Sequence, residues 1–351
     1  MWGVILLVVI GIASAQDEDC TCTPYYLCKK PEENASGEGV IDIRVQGPCE
    51  SYLDTCCPRS IIGTPTTPRP AFKSSGCGHR NTNGFEFRIT GALDNEAQFA
   101  EFPWMVALLK EETLEGSTKI TYQCGGALIH PRMVLTAAHC VNNLSPTVLW
   151  AQAGEWDTQT KSEPLPTQEK RVGKVIVHRD FAPDSLYNDV ALLLLESPFT
   201  LDGNVDVVCL PPKEQVFDGS RCFATGWGKD VFGKQGKYQV ILKKVELPAV
   251  PRAECMERLR RTRLGKHFIL HESFICAGGE RGRDTCQGDG GGPLVCPLAH
   301  DSSRYVQAGI VAWGIGCGDD TPGVYANVAL FKDWIDEQML YNNLESATYS
   351  P

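Results

Sequence analysis

Three short stretches of the sequence carry residues that together could perform acyl transfer. "LTAAHC" presents His139 beside Cys140, "YNDVALLLL" places Asp189 at the head of an apolar run, and "CQGDGGGPL" is a glycine-rich turn. Hydrolysis by a serine requires a histidine base, a buried aspartate that fixes its tautomer, and a turn that offers backbone N–H groups. The three stretches therefore predict the site of a hydrolase, or of a protein derived from one.

Composition limits the class of protein in which such a site is embedded. The chain has 351 residues, is 42% hydrophobic and has a net charge of −10. This length is sufficient for one large domain or two, and the acidic balance argues against a general nucleic-acid-binding protein. Residues 1–15 form an apolar run that ends in small residues, which predicts a secretory signal cleaved before Gln16 and an extracellular protein. The run is too short for a membrane span, and a buried core helix is the alternative.

The cysteines divide the chain into two parts. All sixteen follow the signal, and an even number in an oxidising compartment predicts eight disulfides. Zinc binding is the alternative, but no paired Cys-x-x-Cys spacing supports it. Six cysteines lie within residues 16–58, which predicts a small domain held by its own bridges. Residues 59–76 are rich in Pro, Thr and Ser and predict an extended, protease-accessible linker.

Residues 77–351 form the second domain and must position the chemistry. Short apolar runs such as "WMVALL", "KVIVH" and "AGIVAWG" alternate with turn residues, which predicts an all-β barrel or sandwich. A closing amphipathic helix is predicted by apolar residues that recur at helical spacing, namely Val328, Phe331, Trp334, Ile335 and Met339.

The order of the three stretches resembles that in the chymotrypsin-like serine proteases. The resemblance covers about residues 77–340 and extends to Pro103-Trp104, "ATGWG" at 224–228 and "TPGVY" at 321–325. It implies an all-β fold of two β-barrels with a C-terminal helix. It also implies a catalytic triad of His139, Asp189 and the residue at position 290.

Position 290 departs from the pattern of that family. The family motif is Gly-Asp-Ser-Gly-Gly-Pro, but here Gly288-Asp289 is followed by Gly290. Deleting the nucleophile of a triad lowers turnover by about 10⁶-fold, which leaves only slow residual hydrolysis. The resemblance therefore implies a degenerate triad and an inactive member of the family, a pseudoprotease. A protease with an unorthodox nucleophile is the opposing interpretation.

Other parts of the family's site are retained. By resemblance, Asp284 lies at the base of the primary specificity pocket, where it would bind Arg or Lys, and Gly314 and Gly323 line the walls. Ala312 replaces a serine, which removes a hydrogen bond from the site. A collapsed, vestigial pocket is the alternative interpretation.

The first cysteine group, "CTCTPYYLC" and "CESYLDTCC", resembles the clip domain found on arthropod extracellular serine proteases. Spacing alone permits 15 pairings of six cysteines. The two resemblances together imply a specific set of bridges: Cys20 with Cys56, Cys22 with Cys49, Cys28 with Cys57, Cys77 with Cys209, Cys124 with Cys140, Cys222 with Cys296, Cys255 with Cys276, and Cys286 with Cys317.

Members of the protease family are activated by cleavage of an Arg-Ile bond. The new amino terminus then pairs with the aspartate before the nucleophile. By resemblance the bond is Arg88-Ile89 and its partner is Asp289. Competing trypsin-type sites in or beside the linker are Arg59, Arg69 and Arg80.

Three further features predict binding or modification. Five basic residues lie close together against the acidic average, namely Arg258, Arg260, Arg261, Arg263 and Lys266. They predict an anion-binding exosite for an acidic protein surface or a sulfated glycan, or else a solvated face. Glu155 and Glu163 resemble ligands of the family's calcium loop, so calcium is the one cofactor implied. Asn34 and Asn143 head glycosylation sequons.

The combination resembles the clip-domain serine protease homologues of insects. That resemblance implies a secreted, non-catalytic cofactor in the hemolymph cascade that activates prophenoloxidase and leads to melanization in innate immunity. Its partners would be an upstream clip-domain serine protease, prophenoloxidase and, after cleavage, further copies of the chain. The alternative is a non-catalytic recognition or decoy protein that binds microbial surfaces or protease inhibitors.

Overall fold

The computed structural model describes most of the chain beyond the predicted signal. The described residues are 20–24, 28, 39–42, 49, 54–58, 72, 74–84, 87–90, 95–114, 117–159, 163–229, 238–281, 289–316 and 320–351. The predicted signal, Asn34, Arg59, Arg69, Asp284, Cys286 and Cys317 lie outside these ranges.

Four strands lie in the N-terminal part of the chain: β1 (Cys20–Pro24), β2 (Gly39–Asp42), β3 (Asp54–Pro58) and β4 (Phe87–Thr90). β1 and β3 form an antiparallel pair, and β2 pairs in parallel with β4. Three disulfides connect residues 20–57, since Cys20 is joined to Cys56, Cys22 to Cys49 and Cys28 to Cys57. So small a domain can bury little apolar surface, so covalent bridges take much of the role of a core.

The first large unit is a closed six-stranded barrel in the order β10-β7-β6-β5-β8-β9. In β8, Leu149, Ala151 and Ala153 are buried while the residues between them are half-buried, which is the two-residue period of a strand with one face on the core. The elements of the unit are β5 (Met105–Leu114), β6 (Ser117–His130), β7 (Met133–Thr136), α1 (Ala138–Val141), β8 (Leu149–Ala153), β9 (Gln168–Val177) and β10 (Ala191–Leu195).

The second large unit is also a closed six-stranded barrel, in the order β11-β12-β13-β16-β15-β14. Many of its buried apolar residues join those of the first barrel in one core cluster, and a smaller separate cluster lies where α2 packs beside β13 and β16. Its elements are β11 (Arg221–Gly226), β12 (Lys243–Val250), α2 (Arg252–Arg260), β13 (Phe274–Gly278), β14 (Pro293–Leu298), β15 (Asp301–Trp313) and β16 (Pro322–Asn327).

The chain closes with α3 (Lys332–Tyr341), which buries Ile335 and Met339 on one face. The predicted helix began too early, because Val328–Phe331 forms a 3₁₀ turn that buries Val328 and Phe331 before the α-helix starts. A 3₁₀ turn and an α-helix bring nearly the same apolar residues to one side, so spacing alone did not separate them.

The predicted fold class is confirmed. The protein has two six-stranded barrels with a C-terminal helix, preceded by a small disulfide-linked domain, which is the all-β chymotrypsin-like arrangement. In the part of the chain that the structure describes, no helix has the length and apolar character needed to cross a membrane.

Candidate functional site

His139 and Asp189 come together because β7, which precedes His139, and β10, which follows Asp189, are neighbouring strands. His139 lies in α1, which follows β7 closely, and Asp189 lies two residues before β10. The two strands pair with Ala191 opposite Thr136. His139 Nδ1 lies 2.6 Å from Asp189 Oδ2, and the His139 amide donates to Asp189 Oδ1 at 2.8 Å. A carboxylate can only accept, so the neutral ring carries its proton on Nδ1 and its lone pair on Nε2.

The turn at position 290 precedes β14 of the second barrel and is hydrogen-bonded to β6 of the first barrel. The Gly125 amide donates to the Gly290 carbonyl at 2.9 Å, and Thr136 Oγ1 donates to the Gly125 carbonyl at 2.8 Å. Gly291 has φ +76°, and a Cβ there would collide with Thr136 Oγ1 and the Gly125 carbonyl. The turn therefore keeps a backbone that only glycine accommodates at position 291.

Gly290 leaves no nucleophile at this turn, and the histidine lies close to the space. An ideal Cβ on Gly290 would be 2.9 Å from His139 Nε2. The His139 side chain is 28% exposed, while Asp189 is fully buried. The arrangement thus contains a base and the residue that orients it, facing a turn without a hydroxyl or thiol. A nearby group of Cys124, His139 and Cys140 offers no metal site, because the two cysteines form a disulfide.

The predicted specificity pocket is only partly within the described residues. Trp313 at the end of β15 pairs with Val324 of β16, and Gly314 and Gly323 are the chain neighbours of this pair. Gly314 is exposed and Gly323 is buried, whereas Asp284 lies outside the described ranges. Ala312 is half-buried in β15 and offers only a methyl group.

Asp289 is the predicted partner of a new amino terminus, and its carboxylate lies against the backbone at Gly228. Its Oδ1 accepts a hydrogen bond from the Gly228 amide at 2.9 Å, and a Cβ at Gly228 would collide with the carboxylate. Arg88 and Ile89 lie in β4, whose backbone pairs with that of Val40 and Ile41 in β2.

Arg80 is placed where a protease could not easily reach it. Its guanidinium lies 2.6 Å from the Glu101 carboxylate, and the two side chains are 10% and 0% exposed. Lys244 also binds Glu101, at 2.7 Å. The interpretation of Arg80 as a competing cleavage site is at odds with this burial. Sequence reasoning missed the three-residue ionic cluster, because Glu101 and Lys244 are 143 positions apart in the chain.

The two glutamates of the predicted calcium loop come together beside a third carboxylate. Glu155 Oε1 is buried without a hydrogen-bond partner, its other oxygen accepts from Gln152, and Glu163 Oε1 accepts from the Asp157 amide. Burial first, and then the negative charge of Glu163, raise the pKa of Glu155 to about 9. A buried carboxylate oxygen without a partner among other acids fits a hard divalent cation. Asp157 was missed, although it follows Glu155 by two positions in "GEWD".

We expect the stability of the protein to fall as pH rises when divalent cations are removed. A carboxyl group whose pKa rises on folding, here from 4.5 to about 9, contributes stability that is complete below 4.5 and is lost as pH passes through 9. The melting temperature in EDTA should therefore fall between about pH 5 and pH 9. Calcium should restore it by neutralising the carboxylates and joining Glu155 to Glu163.

The matched control is Glu155→Gln, which replaces the protonated acid by a neutral group of similar shape. This variant should show a smaller pH slope and a smaller response to calcium. A wild-type melting temperature that is independent of both pH and calcium would contradict the assignment.

The five basic residues are not equivalent. Arg258 and Arg261 form ion pairs one turn apart with Glu254 and Glu257, and Arg260 Nε donates to the Phe268 carbonyl. Arg263 and Lys266 are exposed and have no ion pair or hydrogen bond among the described residues. Arg263 and Lys266 are thus the members most available to an external anion.

The remaining predicted residues are placed as follows. Asn143 is exposed in the turn after α1, and Ser145 of its sequon accepts a hydrogen bond from the Thr147 amide. Disulfides in the barrels join four of the implied pairs, which are Cys77 with Cys209, Cys124 with Cys140, Cys222 with Cys296 and Cys255 with Cys276.

Comparisons with known proteins agree with this geometry. Residues 94–335 match the family model "Trypsin", and residues 11–58 match "Serine protease Clip domain PPAF-2". Phenoloxidase-activating factor 2 of Galleria mellonella is 55% identical over 296 residues, which cover 82% of this chain and 97% of the relative. Inactive CLIP domain-containing serine protease A8 of Anopheles gambiae is 38% identical over 325 residues, covering 90% and 87% respectively.

Proposed function

This chain belongs to the trypsin family of serine proteases and carries a clip domain, and from that premise we propose that it is a secreted, non-proteolytic cofactor of prophenoloxidase activation. Two kinds of relative support the proposal. One is named a phenoloxidase-activating factor, and others are named inactive CLIP domain-containing proteases.

One observation carries the non-proteolytic part of the proposal. His139 and Asp189 hold the geometry of a base and its orienting group, while Gly290 supplies no nucleophile. In the part of this turn that the structure describes, Gly291 has a positive φ and the Gly125 amide donates to the Gly290 carbonyl. Peptide hydrolysis is therefore expected to be absent, while the surface of a protease is retained for binding.

Cleavage at Arg88-Ile89 is the proposed activating step. The bond lies in an extended strand, β4, that has a single strand partner among the described residues and so one free edge. Proteases of this class bind substrates as an added strand, which an extended segment with a free edge favours. Arg80, the competing site that can be described, is held in an ion pair with Glu101.

Replacing Arg88 by Gln should prevent activation. The experiment combines purified prophenoloxidase, an active trypsin-type clip-domain protease and this chain, and it measures phenoloxidase activity together with the N-terminal sequence of the processed chain. Wild-type protein should enhance the activity and acquire an N-terminus at Ile89. Arg88→Gln should leave the activity at the level measured without this chain, because the bond no longer carries a trypsin-type residue.

The control is Arg69→Gln, which removes a different arginine that precedes Arg88, in the linker, and should not block cleavage at Arg88. Equal enhancement by Arg88→Gln and wild-type protein would refute activation by cleavage at this bond. No enhancement by correctly cleaved wild-type protein would favour the alternative of a recognition or decoy protein.

Reversing the charge of Arg263 and Lys266 should weaken the cofactor effect if these residues form the exosite. Both lack intramolecular partners among the described residues, so Arg263→Glu/Lys266→Glu changes an external surface without breaking an ion pair. In the phenoloxidase assay, the variant should enhance activity less than the wild-type protein does. The decrease should resemble the effect of raised salt on the wild-type protein. Arg179→Glu/Lys213→Glu, at exposed sites elsewhere, makes the same change in net charge and should retain activity. Equal losses in the two variants would assign the effect to net charge.

A further inference from the structure

The His139 ring presents a nitrogen lone pair close to where a serine oxygen would act. Asp189 Oδ2 accepts the Nδ1 proton at 2.6 Å, so in the neutral ring the lone pair is on Nε2. A serine Oγ would be bonded directly to the Cβ that position 290 lacks, and that Cβ would lie 2.9 Å from Nε2. Nε2 therefore lies beside the place from which the family's nucleophile attacks.

The same nitrogen can be reached by a small acyl compound. The His139 side chain is 28% exposed, and Gly290 places no side chain between Nε2 and the turn. The Gly290 amide has no hydrogen-bond acceptor among the residues that the structure describes, so it can donate to the oxygen of an approaching carbonyl. A nucleophile, its orienting carboxylate and one oxyanion donor are thus adjacent.

We infer that His139 is itself a nucleophile toward acyl compounds with acidic leaving groups, such as aryl esters, an activity separate from the proposed cofactor function. The Nε2 lone pair forms a bond to the acyl carbon, and the carbon–oxygen bond to the aryl group breaks to release the aryloxide. The Nδ1 proton stays hydrogen-bonded to the buried Asp189, so the intermediate is an acyl-imidazolium. Water then adds to the acyl carbon and loses a proton to solvent, the carbon–nitrogen bond breaks, and a carboxylic acid departs. The neutral ring is thereby regenerated with its proton on Nδ1 and its lone pair on Nε2.

Leaving-group chemistry limits this activity to activated esters. The tetrahedral adduct expels whichever group leaves more readily. An aryloxide leaves readily, but the amine of a peptide is a much poorer leaving group than imidazole, so an adduct with a peptide returns to the starting materials. Nucleophilic attack by His139 is therefore consistent with the absence of peptide hydrolysis that is proposed for this protein.

The test measures release of 4-nitrophenolate from 4-nitrophenyl acetate by the full chain. His139→Gln should lower the rate above buffer by at least about tenfold, since it removes a positioned nucleophile. His300→Gln removes an exposed histidine outside the cleft and should react like wild-type protein. Asp189→Asn should also lose the reaction, because an amide that donates to Nδ1 would move the ring proton to Nε2.

A second measurement tests the intermediate without relying on a variant that could misfold. Wild-type protein is quenched in acid during turnover and digested, and the acetyl group is located by mass spectrometry. The inference requires acetylation of His139. Acetyl groups only on lysines or the amino terminus, or a wild-type rate in a folded His139→Gln protein, would overturn it. Neither result would bear on the prophenoloxidase assay, so the two proposals can fail independently.

Discussion

Gly290→Ser is expected to give the processed protein peptide hydrolysis, which we propose is absent from the wild-type protein. The substitution restores the hydroxyl at a turn whose backbone is already held by Gly125 and whose base is already oriented by Asp189. Removal of a triad nucleophile costs about 10⁶ in turnover, so its return can produce a very large gain. We expect a gain of at least about 10³ in the rate of cleavage after arginine, short of the full factor.

The gain should be incomplete for two structural reasons. A Cβ at position 290 would be 2.9 Å from His139 Nε2, so the ring must shift by a small distance while it keeps its bond to Asp189. Ala312 also supplies no hydroxyl near the site. The His139 ring is a partly exposed side chain, so it can move away from the new Cβ at low energetic cost. A clash with backbone atoms could not be relieved so easily.

The matched control is Gly290→Ala, which adds the same Cβ and forces the same shift but supplies no oxygen. A chromogenic peptide with arginine before the scissile bond should be cleaved by Gly290→Ser and left intact by Gly290→Ala. If the two variants are equally silent after processing at Arg88, the cleft is not organised for catalysis, and the proposal that it retains the surface of a working protease loses its main support.

Glu101→Gln is expected to cause a large loss of stability. The Glu101 carboxylate is fully buried and binds the Arg80 guanidinium at 2.6 Å and Lys244 Nζ at 2.7 Å. It also accepts a hydrogen bond from the Gln98 amide at 2.7 Å. A neutral amide would leave two cations facing each other without their shared anion. Removing one partner of a buried ionic group costs about 3–5 kcal/mol in the free energy of unfolding.

The comparison is Asp333→Asn, which breaks the ion pair with Lys213 at a site where the side chains are 54% and 67% exposed. Water solvates those charges in either case, so this variant should lose little stability. Urea unfolding followed by tryptophan fluorescence measures both variants. Similar losses at the two sites would show that burial does not strengthen the cluster. Arg80 of the cluster precedes the Arg88-Ile89 bond, whereas Glu101 follows it. After cleavage, loss of the ion pair would therefore remove one of the contacts that hold the N-terminal segment to the barrels. The Cys77–Cys209 disulfide would still tether that segment.

Short-range patterns allowed much of the fold to be predicted. The apolar run that became β10 marked a strand because its side chains are covered on both faces. The closing helix was placed four residues too early, since the 3₁₀ turn at Val328 buries apolar residues at nearly the same spacing. The calcium prediction named Glu155 and Glu163 but not Asp157, because only folding reveals which loop carboxylates are buried together.

The sequence by itself determined that no hydroxyl or thiol occupies position 290 and that a histidine and an aspartate remain in the order of a triad. Residue identity is sufficient for that conclusion, because a missing atom cannot be supplied by any backbone conformation. Only the tertiary structure decided that His139 Nε2 borders the vacant position, that Arg80 is enclosed by Glu101, and that Arg263 and Lys266 stand apart from the paired arginines. These depend on contacts between distant segments, and distances across a folded core are not encoded by local spacing.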